Sequence, residues 1–143
     1  MKYELTKETI KCNGFELHRI QAIVDFADVK AGSFGGWVES EENLSQVDSA
    51  WVYGEAKVYD NALVRDDAKV YSHAEVCDSA KVFGSAMVHG HAKVYGHARV
   101  HNKARVFGNA RVSGHASIGS SAQVYGDAII SGEAVISGKA KIY

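Results

Sequence analysis

From Ser49 onward, apolar and polar positions alternate with one fixed period. Written in blocks of six, the chain reads SAWVYG, EAKVYD, NALVRD, DAKVYS, HAEVCD, SAKVFG, SAMVHG, HAKVYG and onward to EAVISG and KAKIY. Sixteen blocks follow without a slip. The second position is alanine in every block, Ala50 to Ala140, and the fourth is always aliphatic, from Val52 through Ile118 and Ile130 to Ile142. In each run Ala-x-Val-x, the Ala and Val point to one side and the residues between them to the other, so each block predicts one short strand. Position six is often Gly, Asp, Ser or Asn, and position one is Ser, Asp, Asn, His, Glu or Lys, which reads as a tight corner. Self-similarity at a short fixed period marks a solenoid, whose repeats bury their apolar side only when stacked. The invariant alanine implies an interior narrow enough to accept one small residue beside each aliphatic one.

The first 48 residues lack this period. Two β-rich runs, Tyr3 to Lys11 and Phe15 to Val24, flank Cys12-Asn13-Gly14, and Asn-Gly between such runs is a strong hairpin signal. The segment Asp25 to Gln46 falls into phase with the hexads at Val38 and Leu44. A solenoid end exposes unpaired strand edges, so residues 1–48 are expected to form a hairpin and capping segment. With the hexads of 49–143 they make one structural domain. Trp51 and Leu63 occupy outward positions near the first turn, where later turns carry mostly Lys, Arg, Gln or Glu, so an apolar cover is expected there. At the other end Ile129, Val135 and Tyr143 are outward and predict a contact between copies, in a dimer or trimer.

The hexads resemble the hexapeptide repeat of left-handed parallel β-helix proteins, and that resemblance implies three hexads per triangular coil and a left-handed winding. The expected fold is therefore all-β, a β-helix of about five coils with an N-terminal hairpin cap, some 25 Å tall at about 4.8 Å per rung. Leu17-His18-Arg19-Ile20-Gln21-Ala22, Gly35-Gly36-Trp37-Val38-Glu39, Asn43-Leu44-Ser45-Gln46 and the Val-Tyr-Gly hexads together resemble a family of phage and enterobacterial hexapeptide proteins. Members are often labelled transferases without a demonstrated reaction.

Composition narrows the functional classes. The chain has 143 residues and a formal charge of -1, with 46% hydrophobic and 23% charged residues, as suits one globular domain. No apolar run approaches the roughly 18 residues of a membrane span, and no export signal is visible, so a cytoplasmic location is expected. Cys12 and Cys77 fit a reducing compartment and two free thiols, neither a disulfide framework nor a zinc cluster. Residues 1–48 carry five basic and nine acidic side chains. The hexads are net basic, with position-three cations on all three faces, whereas a nucleic-acid site would gather them on one. Gly32-Ser33-Phe34-Gly35-Gly36 lacks the Lys-Ser/Thr and following helix of a phosphate loop and reads as close packing under Trp37. Ice binding is excluded by the presence of only Thr6 and Thr9.

Function must then be read from columns of residues 18 apart. One column is Tyr53, Tyr71, His89, Phe107, Tyr125 and Tyr143, either a stabilising ladder or a binding stripe. His73 stacks under His91 and His97 under His115, pairs about 4.8 Å apart. Hexapeptide acyltransferases use a histidine at a subunit boundary as general base, and gamma-class carbonic anhydrases bind zinc with histidines of two subunits. Those enzymes build pockets with loops or helices absent from these uninterrupted hexads, so no metal is assigned. Two functions follow. The first is a non-catalytic scaffold, without a cofactor, that binds a protein partner such as a phage or bacterial factor through Tyr53, Tyr71, His89, Phe107 and Tyr125. Uninterrupted hexads and an expected pocketless surface favour it. The second is a trimeric acyltransferase that takes acyl-CoA, with His89, His91 or His97 as base.

Overall fold

Every corner of the hexad region depends on one backbone conformation. In a computed structural model covering residues 1–143, position six of each hexad, from Gly54 to Gly138, has a φ between +53° and +67°. This left-handed region is accessible to Gly and tolerable for Asn and Asp, which explains why position six is restricted in sequence. The following alanine N–H closes the corner by donating to the position-five carbonyl, as Ala98 does to Tyr95 at 3.2 Å. Positions three and four then form a two-residue strand that pairs in parallel with the strands 18 residues away, for example Lys93 with Glu75 below and Arg111 above. N–H groups at positions three and five donate to the next turn, Lys93 to Ala110 at 3.0 Å and Tyr95 to Val112 at 2.9 Å.

Three parallel sheets result, and they enclose a core of alanine and aliphatic side chains with essentially no solvent exposure from Val38 to Val124. The molecule is a parallel β-solenoid. One sheet holds the strands at 51–52, 69–70, 87–88, 105–106, 123–124 and 141–142, and a second those at 63–64, 81–82, 99–100, 117–118 and 135–136. The third joins 57–58, 75–76, 93–94, 111–112 and 129–130 to the N-terminal strands β1 (Tyr3–Cys12), β2 (Phe15–Ala22) and β3 (Phe34–Val38).

There are six levels rather than the expected five or so, because Val38 pairs with Val58 and Leu44 with Val64, and these two sides complete the lowest turn together with the strand at 51–52. That turn also departs from the 18-residue period: each of these pairs is 20 residues apart, and the two extra residues sit in the corner between Leu44 and Ala50. A short 3₁₀ turn, Glu41–Asn43, capped by Ser40, carries the chain across. The fully buried Asn43 amide stands in for missing ladder donors, its Nδ2 donating to Asp60 O at 3.0 Å and Ala62 O at 2.9 Å. Its Oδ1 accepts from Ser40 N at 2.9 Å and Glu39 N at 3.2 Å.

β1 and β2 form the expected antiparallel hairpin, with Asn13 and Gly14 both at positive φ as its tight turn requires. Gln46, in the enlarged corner, fixes the hairpin's start: its Oε1 accepts from Lys2 N at 2.8 Å and Tyr3 N at 3.1 Å, and its Nε2 donates to Tyr3 O at 3.0 Å. Lys2, only 4% exposed, donates from Nζ to the carbonyls of Asp48 and Ala50 at 2.9 and 2.7 Å and lies 3.6 Å from the Asp48 carboxylate. Trp51 has the expected cover, edge-on to Tyr3 at 5.9 Å and to Phe26 at 5.1 Å, while Leu63 is half-buried. Gly35 and Gly36 are close-packed, though against Trp51, Val52 and Ala56 and not under Trp37: a Cβ on either would sit 2.6 Å from a backbone carbonyl. No helix is long and apolar enough to cross a membrane.

Candidate functional site

Because every turn from Ala50 onward advances by 18 residues, position five of one sheet repeats directly above itself, and the predicted column is present. Ring centroids are 4.6 Å apart between Tyr71 and His89, 4.9 Å between His89 and Phe107, 5.0 Å between Phe107 and Tyr125 and 5.2 Å between Tyr125 and Tyr143. The first three pairs are parallel within 6°. Tyr53 departs from the file. Its hydroxyl donates to Asp28 Oδ1 at 2.9 Å, and its ring stands at 82° to Tyr71. The tilt opens a depression of about 340 Å³ lined by Asp28, Tyr53, Lys69, Tyr71 and Met87, so the expectation of a pocketless surface is corrected at this point. It arises because Asp28, outside the repeat, reaches over the column.

The residues bordering the file are those at position three of the same strands, Lys69, Met87, Arg105, Gln123 and Lys141. Burial among the neighbouring rings, with a smaller contribution from Arg105, lowers the pKa of His89. Its imidazole is therefore neutral over more of the physiological range than a free histidine. Burial and Asp28 push the Tyr53 hydroxyl far above its usual range.

The three histidines named as alternative bases do not share a site. His89 lies in the aromatic file, His91 stacks on His73 at the next corner with centroids 5.0 Å apart, and His97 stacks on His115 at the corner after that, 4.8 Å apart. His73, His91, His97 and His115 are exposed. No three His, Cys, Asp or Glu side chains converge in a way that could hold a metal ion. At the last turn Ile129, Val135 and Tyr143 are 72%, 76% and 80% exposed.

Two features escaped the sequence reading. Cys12 and Cys77, far apart in the chain, both pack on the small cluster of Leu17, Trp37 and Tyr59 beneath the hairpin tip. Burial pushes the Cys77 thiol up to about 11. The second is a polar basin of about 500 Å³ lined by Ser79, Lys81, His97, Arg99, His115 and Ser117.

Comparison with known proteins bears on the solenoid alone. Residues 104–120 and 122–138 match the family model described as YdcK Beta solenoid repeat. The upper turns are similar to that repeat. Over 39 residues, 27% of this chain, it is 46% identical to a protein of Escherichia coli (strain K12) named Uncharacterized acetyltransferase YdcK. The match spans 12% of that protein's length. Both similarities fit a hexapeptide-repeat β-helix family.

Proposed function

We propose that the protein is a non-catalytic β-solenoid module that binds a protein partner along the face carrying Tyr53, Tyr71, His89, Phe107 and Tyr125. One observation carries this reading: a continuous file of parallel stacked rings ends in a depression lined by Tyr53, Tyr71 and Met87 between Asp28 and Lys69 on the same face. Each stacked ring is held by its neighbours, so little side-chain freedom is lost on contact. Aromatic, Met and Arg side chains are the types enriched in protein interfaces, and Met87 and Arg105 border the file. The hexads run on without the loop or helix that would enclose a substrate, and binding over a broad surface needs neither.

The test is retention of protein from a bacterial lysate on immobilised chain. A partner held by the parent protein and by a Lys93→Gln/Arg111→Gln variant of another face should be lost with Tyr71→Ala/Phe107→Ala. Retention by the aromatic variant refutes the reading, provided circular dichroism shows both variants folded.

A second reading, acyl transfer, is favoured by the name of the Escherichia coli relative. It would take acyl-CoA in a cleft between the subunits of a trimer, with His89, His91 or His97 as general base. His89 suits the role in one respect, since its lowered pKa keeps a nitrogen lone pair free. Light scattering decides first: a trimer supports this reading, and a monomer or dimer removes the threefold cleft. In a trimer, loss of acetyl-CoA turnover in His89→Ala, His91→Ala or His97→Ala would identify the base.

A further inference from the structure

The polar basin lies on the face opposite in character to the aromatic file and has a grid of donors at solenoid spacing. Its rungs are Ser79 with Lys81, His97 with Arg99, and His115 with Ser117, since Lys81, Arg99 and Ser117 pair along one parallel ladder. Adjacent rungs stand about 4.8 Å apart, and the His97 and His115 rings are parallel within 2°. No apolar residue lines the basin.

Charge makes the grid unusual within this molecule. All seven ion pairs lie among residues 2–66, so neither Lys81 nor Arg99 has a carboxylate partner. Asp78, next to Ser79, borders the basin at its corner, where its Oδ2 accepts from Gly96 N at 2.9 Å beside His97. Glu133, at the corner position above His115, is the carboxylate bordering the upper end. The other face with cations on adjacent rungs, Lys93 and Arg111, has Glu75 directly beneath Lys93 in the same ladder.

The grid is also short. In the same ladder Leu63 lies below Lys81 and Val135 above Ser117, so the cationic stretch spans two rungs and does not continue along the column. That height suits one tetrahedral anion and not a polymer. Arg99 supplies a planar fork of N–H donors, Lys81 a point charge, His97 and His115 ring nitrogens, and Ser79 a hydroxyl. Ser117 is committed elsewhere. Asn102 Oδ1 lies 3.0 Å from His101 Nδ1 and must accept its proton, so His101 Nε2, 3.0 Å from Ser117 Oγ, accepts from the serine.

We propose that Lys81, Arg99, His97, His115 and Ser79 form a binding site for a single phosphate or sulfate group, distinct from the partner face. The group is either the free inorganic anion or the monoester of a small molecule.

Inorganic phosphate, titrated against chloride at matched ionic strength, tests the site by the ring proton signals of the histidines. His97 and His115 should shift saturably in the low-millimolar range, while His73 and His91, at another corner, stay in place. Lys81→Gln/Arg99→Gln should weaken binding about tenfold, a loss of about 1.4 kcal/mol. Lys93→Gln/Arg111→Gln removes the same charge from another face and should leave affinity unchanged. Phenyl phosphate and phenyl sulfate separate the sources: tighter binding of an ester names a monoester ligand, and equal binding names the free anion. Shifts reproduced by chloride, or equal weakening by the two double variants, overturn the proposal.

Discussion

Replacing Asn43 with alanine should detach the first turn from the rest of the solenoid. In regular turns, backbone N–H groups at positions one and three donate to position-six and position-two carbonyls of the next turn, as Asn61 does to Asp78 and Leu63 to Ala80. Where the 3₁₀ turn takes the backbone away, one side-chain amide supplies both donors, to Asp60 and Ala62, and accepts from Ser40 and Glu39. Glu39 N keeps a bond to Val58 O at 3.3 Å, so the truncation orphans three groups: Ser40 N, Asp60 O and Ala62 O. At about 1–3 kcal/mol for each buried unsatisfied group, with water reaching some of them, the loss should be about 3–5 kcal/mol. Solenoid stability is a sum over neighbouring turns, so that loss should stay local. The assay exploits the placement of both tryptophans, Trp37 and Trp51, in this region. In urea, the tryptophan fluorescence transition of Asn43→Ala should come well before the far-ultraviolet circular dichroism transition of the hexads. Coincident transitions at the parent midpoint would refute the claim that this amide couples the turns.

Other outcomes follow from the same geometry. With its folded pKa below the usual 6.5, His89 contributes stability that is present above that value and is lost as pH falls through the folded pKa. Replacing it with phenylalanine should flatten the stability profile on the acid side, as read from thermal midpoints between neutral and mildly acidic pH. Gly132, at φ +65° with nothing within 4 Å of an added Cβ, should cost about 1–2 kcal/mol on substitution by alanine, less by asparagine, in urea midpoints. Cys77, whose thiol is pushed up to about 11, should react with iodoacetamide at pH 8 far more slowly than a free thiol and recover the ordinary rate in denaturant. If Ile129 and Val135 hold copies together, Ile129→Lys/Val135→Lys should lower the mass measured by light scattering; an unchanged mass would assign the contact elsewhere.

The fold was legible because one small period controls corners, core and columns together. Ala at position two, an aliphatic at position four and Gly or Asp at position six each answer a separate physical demand, and all of them recur in the same register. The aromatic file and both histidine stacks follow by adding 18 to a residue number. What stayed hidden belongs to residues outside the period. The extra pair of residues before Ala50 leaves no mark on a hexad count, because Val38 and Leu44 fall on the alanine position of that count while occupying the aliphatic position in space. The depression beside Tyr53 depends on Asp28, which sits in a loop with no repeat to locate it. The burial of Lys2 was likewise invisible, since its partners are backbone carbonyls 46 and 48 residues away.

The 18-residue ladder gives insertions and deletions a rule of their own. Removing residues 85–102 would take out one storey and set Phe107 directly on Tyr71, leaving every face aligned. Removing only 85–90 would preserve each core position and each corner yet turn everything above through a third of a revolution. Tyr95 would then stand over Tyr71 with Ser113 above it, and Phe107 would move over Phe83. Such a chain would keep its architecture and lose the ring file, so in this molecule surface pattern can be rewritten by a shift of phase without any change in the sequence of the repeats that carry it.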